Sequence, residues 1–302
     1  MVENITLLNT VTNASLELDK VTTPYYVLDD VDWGQVKSTH HQYKYVNQVG
    51  VYITGTSLET RDVSVSGWII ASSEQQMTGR KKMLNRFVNP QQPVTLYYKS
   101  YKITFNPNGS VKYGASYAEN NDVICKFMIE GLCSDPMFSS KNPDMVAAAT
   151  TKPMFHFPLT LNKTTQNKPQ AVFGVRQPSL IIDIYNRGDV PTGMKIVFKA
   201  QGTVTCPRLV NVQTQEFFKV NKTLSAGEVV EVNTNIGSKK IIGKVDTSNG
   251  ETNYFKYRDL DSTWLQLNVG DNILRYDADS GIDNLEVYVY FSNKYLEVQE
   301  CF

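Results

Sequence analysis

The chain has 302 residues, 41% of them hydrophobic and 20% charged, the composition of an ordinary globular protein with room for about two domains. Thirty basic side chains balance thirty acidic ones, and no block of like charge stands out, so the basic stripe that nucleic-acid binding requires is absent. No apolar run approaches the ~18 residues needed to cross a bilayer.

Met1–Thr6 has no basic segment leading into an apolar one, which predicts a protein made in the cytosol without a secretory signal. Cys125, Cys133, Cys206 and Cys301 form no C-x-x-C pair, and in a reducing compartment they are expected as free thiols. Triplets such as Asn162-Lys163-Thr164 and Asn221-Lys222-Thr223 carry no glycosylation meaning without secretion.

In chain order, Val2–Leu8 and Ser15–Leu18 read as short strands around an Asn9–Asn13 turn, with a further piece at Tyr25–Leu28. Asp29–Gly34 reads as a turn, and Val46–Thr54 as a polar, aromatic stretch punctuated by Gly50 and Gly55. Val63–Ile70 alternates as a strand, with Val63, Val65 and Ile69 on one face and Ser64, Ser66 and Trp68 on the other. The one convincing helix follows. Ser72 and Ser73 supply its N-cap, Ser72 and Gln75 have capping-box spacing, and Asn89-Pro90 stops it. Met77, Leu84, Phe87 and Val88 share a face of this helix, which is expected to pack on a sheet.

Strands resume at Val94–Tyr98, Tyr101–Phe105, Ser110–Tyr113 and Val123–Leu132, with a turn at Asn106–Gly109. Ser139–Pro153 is small, polar and proline-containing, so residues 1–138 are taken as one domain, 139–160 as a linker and 161–302 as a second domain. After a loop at Pro158–Gln170, about eleven short strands come at even intervals from Ala171 to Phe291. Met194, Ile196, Phe198 and Ala200 alternate with Lys195, Val197 and Lys199; Leu285, Val287, Val289 and Phe291 alternate with Glu286, Tyr288 and Tyr290. A second domain of strands, with no helix, predicts a β-sandwich.

Chemistry is hard to place on this scaffold. His40 and His41 are adjacent and point apart on any regular backbone, and His156 lies in the linker, so exposed polar residues explain them better than a metal site. Asp277–Asp283 resembles a calcium loop, but its glycine comes one place early and Tyr288 stands where a bidentate Glu is required; a polar hairpin loop is the better reading. Arg187-Gly188-Asp189 reads as a turn tripeptide. Trp33, Tyr43, Tyr45 and Tyr117 are aromatics suited to packing or an interface more than to stacking on sugars. No nucleophile elbow, HExxH motif or phosphate-cradling loop occurs. The expectation is a non-enzyme with no catalytic, cofactor or metal residues.

An ordered set of segments carries a resemblance. Asn186–Gly193, Phe198–Gly202, Pro207, Asn211–Thr214, Leu224–Glu228 and Leu267–Tyr276 are similar to the distal tail protein of long-tailed (siphophage) bacteriophages, a hub component of the tail-tip baseplate. Gly55–Arg61 leading into Val63–Ile70, Arg86–Pro90 and Ser134–Phe138 agree. The resemblance covers nearly the whole chain. It implies a mainly β protein of two domains: an N-terminal β-sandwich with one helix and an extended hairpin, and a C-terminal galectin-like β-sandwich.

It also implies a homo-hexamer, a ring that joins the tail tube protein to the tail-associated hub protein, meets the tape measure protein, holds receptor-binding proteins and lets DNA through its centre. The place would be the virion tail tip, assembled in the bacterial host cytoplasm, with no specific nucleic-acid binding and no membrane. Zero net charge suits a channel that must not grip DNA. Tyr43–Thr56 is the candidate arm for ring closure, by head-to-tail contact and strand addition. Lys244–Asp261 is a candidate docking loop or a decorated turn. The rivals are a carbohydrate-binding module on the host wall, for which no galectin-type sugar site can be placed here, and a wall hydrolase, which would need two carboxylates about 5–9 Å apart.

Overall fold

The computed structural model describes residues 4–20, 25–153, 174–178, 180–245 and 248–298. The chain divides into two compact units, residues 1–142 with 295–302, and residues 143–294. It is mainly β with a single α-helix among the described residues, the fold class expected from the sequence.

The first unit contains β1 (Asn4–Asn9), β2 (Ser15–Asp19), β3 (Tyr26–Asp32), β4 (Ser38–Tyr43), β5 (Tyr52–Leu58) and β6 (Arg61–Ile70). Helix α1 (Glu74–Phe87) precedes β7 (Val94–Tyr98), β8 (Tyr101–Pro107), β9 (Lys112–Tyr113), β10 (Ile124–Cys133) and β11 (Phe138–Ser140). The main sheet runs β11-β8-β7-β1-β2-β3-β6-β10-β9. β8 also pairs with β10, through Pro107↔Gly131 and Asn106↔Leu132, so hydrogen bonding closes the sheet on itself and its walls face each other across one core. Closure consumes the edges that an open sheet exposes. Leu7, Leu18, Val65, Ile69, Leu96, Phe105 and Phe127 fill that core, as the alternation along β6 predicts.

Helix α1 buries Met77 and Leu84, with Val88 just beyond it. Its cap lies one residue later than the spacing of Ser72 and Gln75 suggests. Ser73 is the N-cap, accepting from the Gln76 amide at 3.4 Å, while the Gln76 side chain accepts from the Ser72 amide at 3.3 Å. The box thus forms with Gln76, because the helix begins at Glu74. Asp29–Asp32, read as a turn, continues β3. A bulge between Leu28 and Asp30 restores register, so that Val31 faces Val65 and is buried.

The second unit begins with β12 (Asp144–Ala147) and a two-stranded piece of β13 (Ala149–Pro153) and β14 (Gly174–Pro178). Then come β15 (Ile181–Asn186), β16 (Thr192–Ala200), β17 (Val204–Thr205), β18 (Arg208–Asn211), β19 (Phe217–Lys219) and β20 (Thr223–Leu224). β21 (Glu228–Asn233), β22 (Lys240–Val245), β23 (Ser248–Asn253), β24 (Gln266–Leu267), β25 (Gly270–Asp277) and β26 (Leu285–Phe291) complete it. One sheet is β12-β26-β16-β21-β22-β23, with β24 on β16; the other is β15-β25-β18-β19. Met194, Ile196, Phe198, Val230, Val232 and Val289 from the first share one core with Ile182, Ile184, Leu209, Phe218 and Leu274 from the second. This is a β-sandwich. β27 (Lys294–Tyr295), where the chain re-enters the first unit, lies beside β11.

The run after β15 is organised by one buried side chain. Asn186 donates to the carbonyls of Val190 and Leu267 and accepts from the Gly188 amide at 2.9 Å. A polar group removed from water must find such partners, which accounts for Asn at the head of this turn.

Three readings change. Part of the stretch read as linker, 139–153, carries strands β11, β12 and β13. Asp277–Asp283 is not a hairpin loop: β25 and β26 belong to different sheets, so it crosses between them. Lys244–Asp261 is no free loop, since it holds β23 and the buried Tyr254. Pro158–Gln170, His156, Cys301 and most of the strand expected at Ala171–Val175 lie outside the described residues.

Candidate assembly interface

β4 and β5 pair with each other and with no other strand among those described. Their register runs from Ser38↔Leu58 to Tyr43↔Tyr52, with an irregularity at His41/Gln42 where Thr54 is the extra residue; its hydroxyl donates to the His41 carbonyl at 3.0 Å. The hairpin is longer than the Tyr43–Thr56 arm expected from sequence, because Ser38–Tyr43 is a strand despite its polar composition.

At the tip, Asn47 and Gly50 take left-handed backbone conformations (φ 62° and 84°), which Asn and Gly tolerate best. The Tyr45 ring meets Tyr43 edge-on at 4.7 Å and Tyr52 at 6.5 Å. This aromatic clasp is internal to the arm. It leaves Val46 93% and Val49 99% exposed.

The base, by contrast, is fixed. The Glu59 amide donates to the Lys37 carbonyl at 2.8 Å, and Thr39 donates to the Glu59 carboxylate at 2.5 Å. Gly34 turns the chain toward β4 at φ +60°, and a Cβ there would lie 1.9 Å from the Asp62 carbonyl oxygen. Arg61, 1% exposed, follows directly after the arm; it donates to the carbonyls of Trp33 (3.5 Å) and Leu296 (2.5 Å) and lies 4.5 Å over the Phe138 ring. Burial lowers the Arg61 pKa. Burial also pushes the Cys133 thiol up to about 12, so it stands beside the guanidinium as a neutral group.

A two-stranded ribbon is marginal in water by itself. An arm with two open strand edges and an apolar tip on a rigid base therefore has the physical properties of a part that is covered in use.

The other residues singled out by sequence fall elsewhere. His40 and His41 are on β4, with Thr56 and Ser57 hydroxyls 3.0 and 3.4 Å from their ring nitrogens. Trp33 is not an exposed aromatic: it packs on Tyr98 and Phe138 at 5.4 and 5.5 Å. Tyr117 is 84% exposed. In the Asp277–Asp283 crossing, Arg208 pairs with Asp277, and Lys219 donates to Asp279 at 2.9 Å, so cations of the chain itself neutralise the carboxylates. Among the described residues no group of three or more His, Cys, Asp or Glu side chains is arranged to hold a metal ion. Arg187-Gly188-Asp189 is a turn, where the Asp189 amide donates to the Lys294 carbonyl.

Comparison with known proteins gives two family matches. Residues 187–295 match the siphovirus-type tail component, C-terminal domain, and residues 22–108 match the phage tail protein RIFT-related domain. No curated protein sequence matches the chain. Among solved structures it is similar to the Dit protein of phage SPP1, described as a paradigm of the hub adsorption apparatus in phages infecting Gram-positive bacteria. That likeness has a TM-score of 0.63 at 14% identity, over 96% of this chain and 98% of that one. It is also similar to a chain of the phage P2 baseplate in its activated conformation with calcium, at TM-score 0.59 and 10% identity over 99% and 100% of the two chains. The strontium form of that baseplate gives 0.58 and 9% over the same shares. At such identities the likeness is one of fold.

Proposed function

We propose, from the premise that this chain belongs to the siphophage distal tail protein family by its matches over residues 22–108 and 187–295, that its hairpin arm closes a six-membered ring in the tail tip. The protein is a structural component of the phage tail, and its place is the virion tail. The ring joins the tail tube to the tail-associated hub and the tape measure protein, carries receptor-binding proteins and passes DNA through its centre. It is assembled in the host cytoplasm. The work is mechanical rather than catalytic.

The observation that carries this reading is the arm Ser38–Leu58, paired only with itself among the described residues and exposed almost throughout. An element that leaves the body of its own unit and ends in uncovered apolar side chains gives a subunit a contact surface distinct from the surface that receives it. Repeated by rotation, such a head-to-tail contact closes into a ring. Open β edges add main-chain hydrogen bonds to side-chain burial.

Light scattering on a sizing column, with negative-stain images of the same peak, tests the reading. Six copies of a 34.1 kDa chain give roughly 205 kDa, and rings with a central hole are expected. A monomer at every concentration, with no rings in the images, would overturn it.

A sugar-binding role has one observation behind it. Phe255 is 46% exposed and lies 5.9 Å from the Trp264 ring, tilted by 31°. Binding of host wall polysaccharide by the full chain, lost in Phe255→Ala, would favour that second reading.

A further inference from the structure

We infer that the groove between the start of β22 and the end of β23 binds a phosphate-bearing saccharide, with Phe255 stacking on the sugar ring and Lys239 and Lys240 neutralising the phosphate. This site rests on the sugar-binding reading above and gives it a ligand class.

The groove has a volume of about 330 Å³, and Lys239, Lys240, Ile242, Glu251, Asn253 and Phe255 line it. That size lies near the lower end of small-molecule sites, roughly 300–1,000 Å³. Its walls are fixed. Ile242 pairs with Asn253 across β22 and β23, and Ile241 beside it is buried in the sandwich core. Phe255 is fixed too, despite its exposure. Its amide donates to the Asn253 side-chain oxygen at 2.8 Å, and its carbonyl accepts from the Arg258 amide at 3.1 Å. The preceding Tyr254 is buried. The Phe255 ring lies 5.9 Å from Trp264, which itself packs on the core ring of Phe218 at 5.1 Å. An aromatic plane held this rigidly loses little freedom when a ligand covers it.

Charge decides the ligand class. Lys195, Lys219, Lys222 and Lys244 of the same unit each pair with a carboxylate. Lys239 and Lys240 are exposed and have no ion pair among the described residues. Lys239 stands 5.4 Å over the Trp264 ring, so a free cation and the Phe255 plane meet on one indole. Glu251, the carboxylate of the groove, is already taken by Lys244 at 3.1 Å. The groove therefore sets uncompensated positive charge beside an apolar plane, the complement of an anion joined to a sugar ring. Hydroxyls find partners as well. Asn253 accepts through its oxygen from the Phe255 amide, which leaves its NH2 to donate, and the Glu251 carboxylate accepts. That carboxylate also repels the closely spaced phosphates of a nucleic-acid strand.

Calorimetric titration of the full chain tests this. The probe is a glucosylated poly(glycerol phosphate), run beside dextran as a neutral glucan and oligo-dT as a nucleic acid. Lys239→Gln/Lys240→Gln and Phe255→Ala, all at exposed positions, should melt as the wild type does. Each should weaken binding of the polymer by about tenfold or more, and added salt should weaken the wild type likewise. Dextran should bind weakly, with an affinity that the lysine replacements leave unchanged. If dextran binds as tightly as the polymer and only Phe255→Ala matters, the phosphate assignment fails and the sugar-binding reading stands. If no saccharide binds, or both variants bind as the wild type does, both fall. Tighter binding of oligo-dT than of the polymer would overturn the saccharide in favour of nucleic acid.

Discussion

The Tyr254 hydroxyl donates a 2.9 Å hydrogen bond to the buried carboxylate of Glu228, 26 residues away. The same carboxylate receives the Lys222 ammonium at 2.5 Å and the Ser225 amide at 3.1 Å. Gly243 makes room for the ring, since a Cβ there would fall 2.0 Å from it. Tyr254→Phe should cost about 1 kcal/mol, as one of three hydrogen bonds is lost. Glu228→Ala, which strands the lysine and the hydroxyl together, should cost roughly 3 kcal/mol. Urea unfolding measures both, and a double-mutant cycle that showed no coupling would separate the pair.

The same network sets a pH dependence. Burial raises the Glu228 pKa, but the hydrogen bonds from Lys222, Ser225 and Tyr254 outweigh it and hold the group below its usual range. Asp277 behaves alike, with burial outweighed by Arg208. A depressed carboxylate contributes stability above its unfolded value, and that contribution is lost as pH falls through the folded value. The wild-type urea midpoint should therefore drop as pH falls below about 4.3. Glu228→Gln should start lower and fall less across that window. Parallel curves for the two proteins would contradict the assignment.

Gly34→Ala should disturb the base of the arm, for both the positive φ and the 1.9 Å approach to Asp62 oppose a side chain. A loss of about 1–3 kcal/mol is expected, together with weaker assembly. Sizing-column mass and melting temperature report the two effects separately.

Arg61→Ala should be among the most damaging single changes in the first unit. It removes the donor to the Trp33 and Leu296 carbonyls and the cation lying over Phe138. Burying unsatisfied groups beside a new cavity should cost roughly 3 kcal/mol. Thermal unfolding would show it; a shift below 1 °C would mean that water replaces the guanidinium at no cost.

Ser73→Ala removes the side chain that caps α1 and should cost about 1 kcal/mol. Ser72→Ala, by contrast, should be nearly silent, because Ser72 takes part through its backbone amide. Comparing the two by chemical denaturation checks the register of the cap.

Much of this architecture is legible in residue order because its strands bury one face. β6, β16 and β26 alternate without interruption, and a period of two needs no partner to be recognised. β3 escaped that logic. Its second half is Leu28-Asp29-Asp30-Val31-Asp32, which reads as a turn until β6 supplies hydrogen bonds and a bulge absorbs the extra aspartate. β4 was hidden for the opposite reason: an arm with no buried face has no alternation to display. Sequence marks only Tyr43–Thr56 as an arm, and by resemblance rather than periodicity. The Asp277–Asp283 crossing looked like a hairpin because sequence neighbours usually pair, and only topology reveals that its flanking strands serve different sheets.

The order of synthesis now acquires a meaning. Arg61, at the foot of the arm, is translated early, but the Leu296 carbonyl that holds it comes after the whole second unit. A ribosome that stops short of Tyr295 would release a subunit with a sound sandwich and an arm whose base is incomplete. The late return of the chain to β11 thus ties the last segment of the first unit to the foot of its arm.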